Sequence, residues 1–342
     1  MVKTFLQSLM HRFKKIIPHM LVEILWNIWC IVSIIGVWPR FIEPRLLTTT
    51  RLKLKINNLH KDLENIKILH FSDLHFNKST SKRFLKRICK KASLLKPDII
   101  LFSGDLLCYS RLEEETRLLH FLNSLHAPYG CFLVFGNHDY QKYASVSREG
   151  KYDLVEERKY PFIIEGFRKL FHKQAKAKGF SARVHAVDRH EEFCKLLKKT
   201  SFEILENETK KIPIGNSFLN ISGLGEYCLG KCLPEKAFKE YDEKFPGLVL
   251  SHNPDSFMRL KDWPGDIVLS GHTHGGQVNL PFMRNKFIYL ENKKWMRGFV
   301  QEGEKKLYVN RGVGSHSLFR WFSPPELLLL TMQNAKGNEN EC

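Results

Sequence analysis

The stretch Ile66-Lys67-Ile68-Leu69-His70-Phe71-Ser72-Asp73-Leu74-His75 sets the pattern for most of the chain. Ile66–Phe71 is a short apolar run of buried-strand character, and it delivers a carboxylate and an imidazole two positions apart just beyond its carboxyl end. The same event recurs four times. Asp98–Phe102 runs into Gly104-Asp105, and Cys131–Phe135 runs into Gly136-Asn137-His138-Asp139. Leu248–Leu250 leads to Ser251-His252-Asn253, and Ile267–Leu269 leads to Gly271-His272-Thr273-His274. Strands that present polar residues at their carboxyl ends are how α/β folds build sites, because the loops there converge on one crevice.

The intervening segments fit that plan. Ser81–Leu95 sets Phe84, Leu85, Ile88, Ala92 and Leu95 near one face and many lysines and arginines opposite, which predicts an amphipathic helix. Glu113–Leu125 reads as a second helix. Further strands are expected at Phe202–Leu205, Phe218–Ile221, Leu307–Val309 and Leu327–Thr331. Glycines 104, 136, 271, 275 and 276 suit sharp turns at the motif loops.

Composition sets wide bounds. The chain has 342 residues, enough for one large or two small domains, and its 43% apolar content is ample for a packed core. A formal charge of +18 predicts attraction to polyanions: nucleic acid, anionic lipid head groups or phosphorylated substrates. The eight cysteines form no C-x-x-C pair, which argues against a zinc ribbon or disulfide framework and for thiols packed as small hydrophobes in a reducing compartment.

Leu21–Trp38 is strongly apolar, interrupted only by Glu23, Asn27 and Ser33, and just long enough to cross a bilayer. Trp26, Trp29, Trp38 and Phe41 suit a membrane–water interface. Basic residues on both sides (Arg12, Lys14 and Lys15 before it; Arg40, Arg45 and Arg51 after) leave topology open. A signal peptide would need a small-residue cleavage pattern, and none follows Val37-Trp38-Pro39-Arg40. A buried helix of a soluble fold stays open, but membrane attachment, spanning or interfacial, is the expectation.

Residues 141–200 interrupt the strand rhythm with a basic, aromatic-rich insertion, in which Phe162–Lys178 has the period of a basic amphipathic helix. The expected organisation is therefore a membrane-associating segment at 1–45, a catalytic domain at 60–332 carrying the insertion as a cap or lipid-facing element, and a disordered polar tail at 333–342.

The five motifs supply carboxylates, imidazoles and one side-chain amide. An Asp-x-His at a strand end can offer both side chains to one metal ion, and an Asp from the next strand can bridge two ions with its two oxygens. Asn137 adds a neutral amide oxygen, and His252, His272 and His274 complete the donors. Oxygen and nitrogen donors without thiolate suit manganese, iron, zinc or magnesium better than a soft-metal site, and manganese is the expected ion. Two such ions about 3.5–4 Å apart activate water and neutralise a phosphoryl group. No single motif is decisive, since Asp-x-His and Gly-Asp are common; the ordered set of five is.

That ordered set resembles the calcineurin-like metallophosphoesterase family over roughly Leu69 to Met332. The resemblance implies an α/β fold, a four-layer αββα sandwich with a dinuclear site across one edge. Carried over, it implies Asp73, His75 and His274 on the first metal, Asp105 bridging, and Asn137, His252 and His272 on the second. His138 would stabilise the transition state or protonate the leaving oxygen. One departure argues against the phosphoprotein phosphatases. Their Gly-Asp-x-x-Asp-Arg-Gly is here Gly104-Asp105-Leu106-Leu107-Cys108-Tyr109-Ser110, without the second Asp that would orient the catalytic histidine or the phosphate-binding Arg.

Gly271-His272-Thr273-His274-Gly275-Gly276-Gln277 and Asn310-Arg311-Gly312-Val313-Gly314 look like the membrane-associated phosphodiesterase branch, and within it the UDP-2,3-diacylglucosamine pyrophosphatases of lipid A biosynthesis. This implies a nucleotide-lipid diphosphate substrate split to UMP and a lipid 1-phosphate, an anionic membrane surface as partner, and a place on the cytoplasmic side of the inner membrane. Rivals are a broad phosphodiesterase, a nuclease with a strand-length basic groove, and a non-catalytic scaffold, which would have lost ligands. Nucleic acid is the less favoured partner, because many of the basic residues flank the apolar segment and crowd the insertion.

Overall fold

The computed structural model describes residues 19–147, 149–155, 179–281, 290–315 and 317–335. Its strands, in chain order, are β1 (Thr48–Ile56), β2 (Lys67–Phe71), β3 (Ile99–Ser103), β4 (Cys131–Val134), β5 (Ala144–Val146), β6 (Tyr152–Leu154) and β7 (Phe202–Ile204). There follow β8 (Glu208–Ile214), β9 (Ser217–Gly223), β10 (Gly247–Leu250), β11 (Ile267–Ser270), β12 (Gly298–Glu302), β13 (Lys305–Val309) and β14 (Glu326–Asn334). Two six-stranded sheets result, ordered β1-β14-β2-β3-β4-β7 and β12-β13-β11-β10-β9-β8, and β5-β6 is a separate hairpin.

The four motif-bearing strands at the sheet centres, β2, β3, β10 and β11, are buried along nearly their whole length, which is why they read as continuous apolar runs rather than alternating ones. Period-2 geometry divides each between two layers. From β2 and β3, Ile68, Ile99 and Leu101 face the second sheet, where they meet Leu248, Leu250 and Leu269. Leu69, Phe71, Ile100 and Phe102 face the other way. They pack under helices α2 (Lys82–Leu95) and α3 (Glu115–Asn123) through Ile88, Ala92, Leu118 and Phe121. Ser81 caps α2 by accepting the Phe84 N–H. The outer face of the second sheet is covered by short turns of helix, including Pro254–Leu260, around Phe257 and Trp295. The expected sandwich is present, with its fourth layer reduced to such turns.

Strand β1 was not anticipated, and it moves the start of the sandwich upstream of residue 60. It pairs in parallel with β14, Thr48 opposite Glu326 and Ile56 opposite Asn334. Its sequence alternates charged and apolar residues because it is an edge strand with one face in solvent. The same pairing keeps β14 ordered to Asn334, so residues 333 and 334 belong to the sheet and not to a tail; 336–342 lie outside the described residues.

The flanks of the 141–200 insertion are part of the packed body. Tyr152 is fully buried and stacks on Phe180, and Phe193, in a short helix at Glu191–Leu197, stacks on Phe135. The Phe162–Lys178 helix expectation falls outside the described residues.

Ahead of the sandwich, helix α1 (His19–Arg45) runs 27 residues and is long and apolar enough to cross a membrane; none of its apolar window is buried against the protein. The buried-helix alternative therefore fails. From Ser33 to Ile42 the winding widens to a π-helix containing Pro39, and this end docks on the sandwich. Arg320 donates its backbone N–H to Pro39 O at 2.8 Å, and Arg40 donates to Leu318 O at 2.7 Å. The described cysteines are free thiols.

Candidate metal centre

All five motif loops meet above the carboxyl ends of β2, β3, β4, β10 and β11, where the two sheets abut. The backbone there is forced. Asp73, His75, Asp105, His272 and His274 all have φ between 46° and 69°, the left-handed region that non-glycine residues avoid. Strain concentrated in this way is found where a structure over-determines the aim of functional side chains. Gly136 is demanded by proximity: a Cβ there would lie 2.2 Å from Asp105 Oδ1.

Two sets of donors face one another across Asp105. On one side His75 Nε2 lies 3.0 Å from His274 Nε2, and Asp73 Oδ1 is 3.9 and 3.7 Å from those two nitrogens. On the other, His252 Nε2 lies 3.1 Å from Asn137 Oδ1 and 3.2 Å from His272 Nδ1, which is itself 3.0 Å from Asn137 Oδ1. Asp105 Oδ2 belongs to both sets, 3.6 Å from His75 Nε2 and 3.2 Å from His252 Nε2. Its Oδ1 accepts the His138 backbone N–H at 2.9 Å. One oxygen, rather than the two expected, therefore faces both sets. All seven predicted ligands are brought together, and His138 Nε2 stands 3.9 Å from the same Asp105 oxygen.

The surrounding contacts aim these donors inward. His252 Nδ1 is 2.6 Å from Ser103 O, so it carries the proton there and turns Nε2 to the cluster. Asn137 donates its amide to Ala144 O at 2.7 Å, which leaves its oxygen for the site. His138 Nδ1 accepts the Tyr109 backbone N–H at 2.8 Å, and the Tyr143 ring packs against the imidazole with centroids 4.1 Å apart. The missing orienting carboxylate is thus replaced by a main-chain donor, which no residue-type pattern can reveal.

Two further residues were missed. Asp139, the last letter of Gly-Asn-His-Asp, points away from the cluster and accepts the backbone N–H groups of Asp105, Leu107 and Gly136 at 2.7–2.9 Å. It staples two motif loops together. Asp139→Ala should strand three buried donors and lower unfolding free energy by at least about 3 kcal/mol at 1–3 kcal/mol per orphaned group; urea denaturation reads this directly, and a loss under about 1 kcal/mol would contradict it. Arg320 is fully buried behind His274, its guanidinium 3.3 Å from His274 Nδ1 and donating to Arg311 O, Gly312 O, Gly314 O and Ser323 O.

The electrostatics call for positive charge. Burial pushes the Asp105 carboxyl up, but His252, His138 and His75 outweigh it and hold the group well below the usual carboxylate range. Burial pushes His252 down, yet Asp105 beside it carries it well above an ordinary imidazole. Burial lowers His272 to about 3 and His75 to about 4, which keeps their lone pairs free to bind. Convergent carboxylates, imidazoles and one amide, with His252 Nδ1 and the Asn137 amide nitrogen tied to main chain, are a donor set that fits divalent cations. The described residues sort themselves accordingly into Asp73, His75 and His274 and into Asp105, His252 and His272, linked by His75, Asp105 and His138.

The comparisons agree with this chemistry. The calcineurin-like phosphoesterase family pattern matches residues 66–276, which span all five motifs, and the chain belongs to that family. It is a metallophosphoesterase. It is 38% identical over 304 residues to the UDP-2,3-diacylglucosamine pyrophosphatase LpxG of Chlamydia trachomatis, an alignment covering 86% of this chain and 92% of the relative. Identity to the Chlamydia muridarum protein of the same name is 37% over the same shares. The phosphodiesterase YaeI of Escherichia coli is 27% identical over 78% of this chain and 82% of its own length.

Proposed function

We propose that this chain hydrolyses the diphosphate of UDP-2,3-diacylglucosamine, giving UMP and 2,3-diacylglucosamine 1-phosphate for lipid A biosynthesis, while attached by α1 to the cytoplasmic face of the inner membrane. The observation that carries the substrate is the pair of pyrophosphatase relatives aligned over 92% of their length. The observation that supports the reaction is the seven-residue cluster around Asp105.

In this reading Asp73, His75 and His274 would hold one divalent cation and Asn137, His252 and His272 another, with Asp105 serving both. Manganese is the favoured ion. Two such ions supply Lewis acidity toward phosphoryl oxygens and a water of lowered pKa. The protein groups do the rest. Because Tyr109 donates to His138 Nδ1, the neutral ring keeps its proton on Nε2, the nitrogen directed toward Asp105. That N–H is placed to donate to an oxygen of the reacting diphosphate as charge builds on it. Water adds to phosphorus, one bridging P–O bond breaks, and the leaving phosphate takes up a proton.

The test is mass spectrometry of products from purified, manganese-loaded protein given UDP-2,3-diacylglucosamine. UMP with the lipid 1-phosphate is expected. No turnover of this lipid beside rapid cleavage of bis(p-nitrophenyl) phosphate would replace the proposal with the broad phosphodiesterase reading.

A further inference from the structure

A cavity of about 470 Å³ lies where the end of α1 meets the loop before β14. Val37, Trp38 and Ile42 form one wall, and Trp321, Phe322 and Pro324 the other. Its lining is almost wholly apolar. The one charged group among the described lining residues, Glu43, is spent on the fold: it accepts from Trp38 Nε1 at 2.8 Å and from the Ser323 backbone N–H. A groove of this size with its charge so engaged suits an apolar ligand, since a polar one would lose its hydration without repayment in hydrogen bonds.

The loop wall is mechanically part of the metal centre. Trp321 exchanges main-chain hydrogen bonds with Gln277 and Asn279, immediately after the Gly271–Gly276 motif. Ser323 Oγ donates to His274 O at 2.7 Å, and Arg320 donates to the His274 ring and to Gly312 O. The opposite wall is the exposed apolar helix. A ligand with a diphosphate at the donor cluster and a hydrocarbon part reaching past Ser323 would lay that part here, against the segment that meets the bilayer.

We propose that this groove binds one fatty-acyl chain of the substrate. The assignment rests on the lipid-diphosphate reading above and deepens it, because it places chain recognition at the α1 junction as well as, or instead of, the 141–200 insertion.

Phe322→Asp and Ile42→Asp provide the test, both at exposed positions where a carboxylate does not enter the core. Full-length protein in detergent is given UDP-glucosamine carrying two long acyl chains or two acetyl groups. Each variant should lower the ratio of long-chain to diacetyl kcat/KM by at least about tenfold, the scale expected when a whole apolar side chain no longer shelters hydrocarbon from water. A long-chain analogue with a terminal diazirine should label residues 37–46 or 321–324 of the wild-type protein, and unlabelled substrate should compete. An unchanged ratio with wild-type lipid turnover intact, labelling only elsewhere, or labelling by phosphatidylglycerol that substrate fails to displace overturns the groove alone. Wild-type protein that cleaves bis(p-nitrophenyl) phosphate but neither nucleotide lipid overturns the substrate reading together with it.

Discussion

Asp105→Ala is expected to take up neither cation and to lose more than about 10⁴-fold in hydrolysis, a modest share of the acceleration such enzymes achieve. The reason is the shared position of one atom. Asp105 Oδ2 is within 3.6 Å of His75 Nε2 and 3.2 Å of His252 Nε2, so its removal takes a ligand from both donor sets at once. The sandwich should survive, because the buried strands on either side do not depend on this side chain. Metal content by plasma mass spectrometry, read beside circular dichroism, separates the effects. A folded variant that still carries two ions per chain would end the bridging assignment.

His138→Ala should behave differently: metal content near wild type, and kcat down about 10²–10⁴-fold, the range for a positioned proton donor or transition-state hydrogen bond. The His138 ring meets the donors by packing, edge-to-face on His75 with centroids 4.6 Å apart and Nε2 3.9 Å from Asp105 Oδ2, while the hydrogen bond to Asp105 Oδ1 comes from its backbone N–H, which alanine keeps. Losing it therefore need not disturb the donors. Normal turnover in this variant would show that no proton or hydrogen bond from His138 reaches the transition state, and loss of the ions would make it a ligand instead.

Much of this was legible beforehand, for a physical reason. Buried strands such as Ile99–Ser103 must be apolar, and the polar residues at their ends stand out against that background. The seven donor residues and His138, which the structure brings into one cluster, could be named because their chemistry is in the side chain. What stayed hidden has its chemistry in the main chain or in long-range pairing. Tyr109 orients His138 through an amide that any residue carries. Asp139 sits in a recognisable motif, but its task, accepting three backbone N–H groups, looks no different in sequence from metal binding. Strand β1 was masked because Arg51 read as a charge flanking a membrane segment and its long-range partner, β14, lies at the far end of the sequence. Arg320 resembled one more basic residue in a chain of net charge +18, though it is buried against main-chain carbonyls.

The sheet order carries a consequence for biogenesis. β14, the last of these strands to leave the ribosome, lies between β1 and β2, which are the first. Until it emerges, the nascent chain must hold a gap one strand wide, with the edges of both neighbours unpaired. The loop that buttresses His274 and packs against Asp73 through Gly312 comes from the same late region. Closure of this enzyme's first sheet therefore waits on the last of its strands to be made, and its vulnerable interval is the time before that strand arrives.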